Sequence, residues 1–186
     1  MSPALAARLT ALVLGSALLE IVAVSQVSIF GVNADLSPLV VMSVGLTCGS
    51  VAGAFAGFGC GLFLDLALVQ TLGVSSLVLT VVGYLAGRLR EDRDPQGALM
   101  PLAAGAVATL VAEGGYAIVQ FLLGVDAPVS WLLAREIVTT VLVNALIAAP
   151  VFAITRRWLT PSLPDDWRRR RRRATSSPGL SPLTRA

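Results

Sequence analysis

Four ionisable side chains interrupt long apolar runs: Glu20, Asp65, Glu113 and Arg135, the last followed by Glu136. A charge at membrane depth is costly and must find a counter-charge, a shared proton or hydrogen-bond donors. Carboxylates in such a setting can hold a proton, receive a cationic group or pair with an arginine. The same residues admit three readings: an internal polar cluster that fixes helix register, a ligand pocket, or a surface for a partner. Arg135 is the one basic residue expected at the height of Asp65, which makes it the predicted counter-charge. Glu136 projects about 100° away from Arg135 on a helix and cannot face the same neighbour. The chain contains no histidine, which excludes His-based metal sites and His-dependent triads. Its two cysteines, Cys48 and Cys60, lie in apolar runs without zinc or disulfide spacing and read as small packing residues. No catalytic residue, metal or cofactor is expected.

Asp65 closes a ladder in which glycine recurs at every fourth position: Gly45, Gly49, Gly53, Gly57 and Gly61. Small residues at that spacing let membrane helices approach closely. Each four-residue step drifts by roughly 40° around a helix. One straight helix therefore cannot keep all six positions on one side, whereas two shorter helices can divide them. Gly53, Gly57, Phe58, Gly61, Leu62 and Asp65 are the predicted packing or partner face.

The elements that must position these groups follow from composition. With 55% hydrophobic content among 186 residues and a mean hydropathy of +0.80, the chain reads as an all-α integral membrane protein. Apolar runs cover residues 4–27, 36–69, 72–89, 98–123 and 131–158. Residues 23–25 could pass for a signal-peptidase site, but the first run is long for a signal segment and contains Glu20, so a retained helix is expected. The second run is too long for one crossing and tight for two.

All fourteen basic residues are arginines, and positive residues favour the cytoplasmic side. Arg8, the turn from Arg88 to Arg93 and the segment from Arg156 onward fall on one side if residues 36–69 cross twice or return as a re-entrant hairpin. Two crossings, broken near residues 53–56 with the third helix starting near Ala54, give six transmembrane helices in a compact bundle with both termini cytoplasmic. Trp131 and Trp158 then sit at opposite interfaces. Residues 1–160 form the membrane domain and 161–186 a disordered cytoplasmic tail. In that tail Arg168, Arg169, Arg170, Arg171, Arg172 and Arg173 form an unbroken basic run. Directly after a membrane helix, such a run suits anionic lipid headgroups better than an acidic partner or nucleic acid.

Several residues in order carry a family resemblance: Gln26, Phe30-Gly31 and Asp35-Leu36; then Gly49, Gly53, Gly57-Phe58-x-x-Gly61-Leu62-x-x-Asp65; then Leu72-Gly73 and Gly83-Tyr84-x-x-Gly87. Over residues 5–158 the chain resembles the rod shape-determining membrane protein family MreD. Ala34 departs from the proline the family often has before the aspartate at Asp35, and the arginine tail lies outside the pattern. The resemblance implies a non-enzymatic scaffold subunit of the bacterial cell-elongation machinery in the inner membrane. Its implied partners are an MreC-like protein and, through the complex, MreB, RodA and a transpeptidase, with no nucleic acid. The family's fold is similar to the substrate-binding components of energy-coupling-factor transporters, so a vitamin-binding subunit is the alternative. Few aromatic residues are present to wall a vitamin site. An integral-membrane enzyme finds no support in the residues.

Overall fold

The computed structural model describes residues 3–26, 35–69, 71–92, 100–124 and 131–162. These form six α-helices and a terminal 3-10 turn: α1 (Pro3–Gln26), α2 (Leu36–Cys48), α3 (Ser50–Ala67), α4 (Val74–Asp92), α5 (Met100–Leu122) and α6 (Trp131–Leu159). By length and composition α1, α3, α5 and α6 can each cross a membrane. The described residues contain no strand.

α2 is the hub. Its sequence is apolar on every side, the pattern of a helix surrounded by protein, and it packs against all five others. Eleven of its thirteen residues are buried, with Leu39, Val41, Met42 and Val44 fully so. The α3–α4 hairpin lies on one flank and the α5–α6 pair on another, while α1 rests on α2 and α3. Large apolar side chains such as Leu19, Phe55, Phe121 and Leu146 point outward, as a lipid-facing surface requires.

The break in the second apolar run falls at Gly49, four residues earlier than the sequence reading placed it, and the third helix starts at Ser50 rather than Ala54. The reason is backbone conformation. Gly49 has φ +99° and ψ 175°, a region essentially restricted to glycine. Its N–H still donates to the Gly45 carbonyl (2.8 Å), so α2 ends and α3 begins across a single residue. α2 and α3 then run in opposite senses along α4, because Val41 and Gly45 meet the Gly83–Gly87 segment while Gly53, Gly57 and Gly61 meet Gly83, Leu79 and Ser76 in turn. α2 is the shorter of the two helices in this run. Thirteen residues span about 20 Å, well under the roughly 30 Å hydrocarbon core.

Candidate functional site

The glycine ladder divides as its drift requires, with Gly45 on α2, Gly49 at the break and Gly53, Gly57 and Gly61 on α3. The α3 glycines press on the backbone of α4. A Cβ added at Gly57 would stand 2.1 Å from the Leu79 carbonyl oxygen, and one at Gly61 would stand 2.3 Å from the Ser76 nitrogen. α4 answers in kind: a Cβ at Gly83 would stand 2.1 Å from the Gly53 oxygen, and one at Gly87 would stand 2.2 Å from Ser50 Cα. Five glycines on two helices thus give one backbone-to-backbone seam.

Asp65 ends this seam. It is 1% exposed and accepts the N–H of Gly73 (2.7 Å) and of Ser75 (3.2 Å). Gly73 immediately precedes α4 and Ser75 lies in its first turn, where N–H groups have no partner within the helix. The carboxylate also complements the positive end of the helix dipole. Gly73, with φ +97°, turns the chain so that its N–H reaches back. The Asp65 and Leu72-Gly73 parts of the motif are therefore one device: a carboxylate on α3 that caps the next helix.

Glu20 does the same for α2. Glu20 of α1, buried, accepts the Ser37 N–H (2.8 Å) and the Ser37 hydroxyl. From α6, the Asn144 amide donates to the Asp35 carbonyl and to the Thr109 hydroxyl, each at 3.2 Å. The Asn144 Oδ1 and the buried Ser76 hydroxyl find no partner among the described residues. Tyr116 of α5 completes the region, with its hydroxyl beside Ser75 and within electrostatic reach of Glu20, Asp35 and Asp65. Cys60 lies against Ser16, Ser37 and Glu20, so it packs among polar atoms rather than in a purely apolar contact.

At the opposite, arginine-bearing end the pattern repeats. Glu91 of α4 accepts the Ser50 N–H (3.0 Å) and hydroxyl (2.7 Å), capping α3 just past the Gly49 break. These donors, followed by nearby Arg88 and Arg90, hold its carboxyl below the usual range. Arg90 donates to the Thr47 carbonyl at the end of α2, and Arg8 donates to the Trp158 carbonyl at the end of α6 (3.2 Å). Acids sit on helix N-termini and arginines on C-termini, each where the dipole favours it. Sequence reasoning weighed charges against one another and missed this arrangement. No signal in the sequence marked it, because the apolar run of residues 36–69 does not show where α2 ends and α3 begins.

Two expectations are corrected. Asp65 does not pair with Arg135. Arg135 is exposed on α6, which packs on α5, α2 and α1, whereas Asp65 is on α3 and its oxygens hold α4. The predicted face is also split. Gly53, Gly57, Gly61 and Asp65 turn inward to α4, while Phe58 (53% exposed) and Leu62 (38% exposed) turn outward. One residue along a helix is a rotation of about 100°, enough to leave the interface. Of the four charges expected together, Glu20 and Asp65 are both within electrostatic reach of Tyr116, Glu113 is half-buried on α5, and Arg135 is exposed on α6. The run Arg168–Arg173, the Phe30-Gly31 part of the motif, Arg93 and the Trp131 side chain lie outside the described residues.

None of the curated proteins and none of the solved structures matches the chain, so the likeness to energy-coupling-factor components gains no structural support. A family match covers residues 5–159, which are all six helices and every capping group described above. By that match the chain belongs to the family of rod shape-determining protein MreD, membrane proteins of the MreB, MreC and MreD system that sets rod shape.

Proposed function

We propose that this protein is a non-enzymatic scaffold of the cell-elongation complex in the bacterial cytoplasmic membrane. It crosses six times, with both termini and the arginine-bearing end in the cytoplasm, and residues 161–186 lie against anionic headgroups. The family match over residues 5–159 carries the reading. It is supported by the use of the buried acids, since Glu20 and Asp65 each hold the start of another helix and so serve architecture.

With Gly57 and Gly61 occupied by α4, the partner surface on α3 passes to its outward stripe of Phe55, Phe58, Leu62 and Leu66, all exposed. An MreC-like membrane protein is the direct partner, and MreB, RodA and a transpeptidase join through the complex. Affinity purification from membranes tests this: an MreC-like protein should be recovered with the wild type and lost with Phe58→Ala at unchanged abundance. Recovery of a coupling ATPase or a bound vitamin would refute the scaffold role. Topology is tested by reporter fusions, cytoplasmic at Arg93 and Ala174 and external near Asn33 and Asp126. Opposite sides for Arg93 and Ala174 would refute the six-crossing arrangement.

A further inference from the structure

α1 and α6 are joined by the bond from Arg8 to the Trp158 carbonyl, and between them lies a groove of about 300 Å³ with Leu36 and Val40 of α2 in its lining. Leu12, Gly15, Val40, Val151 and Ile154 line it, and Trp158 stands at its mouth. Gly15 has open space where a side chain would project. In a bilayer such a groove must be filled, and two observations indicate by what. The first is size. A transmembrane helix about 10 Å across and 20 residues long occupies on the order of 2,000 Å³, so the groove accommodates a single hydrocarbon chain rather than a helix.

The second observation is charge at the mouth. Arg8 donates to the main-chain carbonyl of Trp158, which places its guanidinium at the same residue whose side chain lines the groove. That bond uses one of five N–H donors and leaves a planar fork suited to a phosphate. Arg8 precedes Leu12 by four residues and Arg157 follows Ile154 by three, so both share a face with a groove-lining side chain. Arg156 and Arg157 are exposed, and Trp158 is an aromatic anchor of the kind found at headgroup level. We propose that this groove is a specific site for one anionic phospholipid, with an acyl chain along Gly15 and Ile154 and the phosphate held by Arg8 and Arg157. The site is separate from the arginine tail. It rests on the membrane placement proposed above but not on the scaffold role, so loss of the MreC-like protein with lipid retained would fail that role alone.

The test uses the full chain in nanodiscs of equal phosphatidylglycerol and phosphatidylcholine, released gently and weighed by native mass spectrometry. One phosphatidylglycerol should stay bound in preference to phosphatidylcholine. Gly15→Phe, which fills the groove, should reduce retention about tenfold while Gly15→Ala retains it. Ile154→Trp fills the same space from the other wall and serves if Gly15→Phe fails to fold. Arg157→Gln should keep a lipid but weaken the preference for phosphatidylglycerol about fivefold, as one basic contact near the headgroup implies. A chain ending at Ser162 should keep the full preference. Equal retention by wild type and both groove-filling variants would overturn the proposal, as would loss of the preference with the tail alone. Loss of a co-purifying membrane protein with unchanged lipid would assign the groove to a partner helix and overturn it as well.

Discussion

The α3–α4 seam and the α5–α6 flank both contain glycine, yet glycine means something different in each. At the first seam every ladder position meets main chain: Gly53 meets the Gly83 carbonyl, Gly57 that of Leu79, and Gly61 the Ser75–Ser76 backbone. On α5, Gly105 meets the Ala148 methyl, Gly115 meets the Val78 side chain at 3.2 Å, and Gly114 meets nothing. The Val78 side chain can rotate or yield by a few tenths of an ångström, whereas the Ala148 methyl and a helix backbone move only with the helix. Spacing alone marks a glycine as a contact candidate. What lies opposite decides whether it is replaceable.

The largest effect that can break this comparison is Gly57→Leu. Overpacking costs about 1–3 kcal/mol where side chains can adjust, and here the opposing atom is a carbonyl oxygen, so the loss should reach or exceed the top of that range. Membrane abundance and thermal unfolding in detergent should both fall. A Gly57→Leu protein as stable as the wild type would mean that the seam is not a contact.

Asp65 comes next. Asp65→Ala removes both acceptors and leaves the Gly73 and Ser75 N–H groups without them, at about 1–3 kcal/mol for a buried unsatisfied group. Asp65→Asn keeps one acceptor oxygen and should lose less. Arg135→Gln should be mild, and the Asp65/Arg135 double variant strictly additive, because the two side chains are on helices that do not pack together. A coupling energy above about 0.5 kcal/mol in that cycle would contradict the capping role.

Within α5 the comparison sharpens to a contrast. Gly105→Ala crowds the Ala148 methyl at 2.3 Å, and because that methyl is fixed to the α6 backbone the change should be costly, like the same change at Gly57. Gly114→Ala meets open space and should stabilise the helix by about 0.5–1 kcal/mol through backbone entropy alone. Unfolding temperatures of Gly57→Ala and Gly105→Ala should both fall below the wild type, and that of Gly114→Ala should rise above it.

The smallest effect concerns pH. Glu91 has its carboxyl depressed below the ordinary 4.5 by its bonds to Ser50. A group with a lowered folded pKa contributes stability above its unfolded pKa and loses it as pH falls through the folded value. Amide exchange at Ser50, corrected for its intrinsic rate, should therefore accelerate once pH drops below about 4.5, the ordinary carboxyl value. Glu91→Gln should show the faster exchange at every pH.

Much of this molecule was legible before any coordinates. Its apolar runs, arginine distribution and lack of histidine defined the class, because the bilayer demands long helices and penalises buried charge whatever the fold. The four-residue glycine period announced close packing, and its 40° drift required two helices. What residues 36–69 do was ambiguous, since apolar composition fits a long helix and two short ones alike. Only Gly49, with a backbone angle no other residue there tolerates, decided it.

The destinations of the charges belonged to the tertiary structure. Asp65 and Arg135 looked like a pair because sequence reveals charge and approximate depth, but not which helix end approaches which side chain. A helix terminus presents partial charge made of main-chain groups common to every sequence, so no residue type signals it. Once α2 is short and α4 starts beside α3, Glu20 and Asp65 take main-chain donors, and among the described residues no arginine is bonded to either. Hydrogen bonding is decided by that proximity, and proximity exists only after the helices have packed.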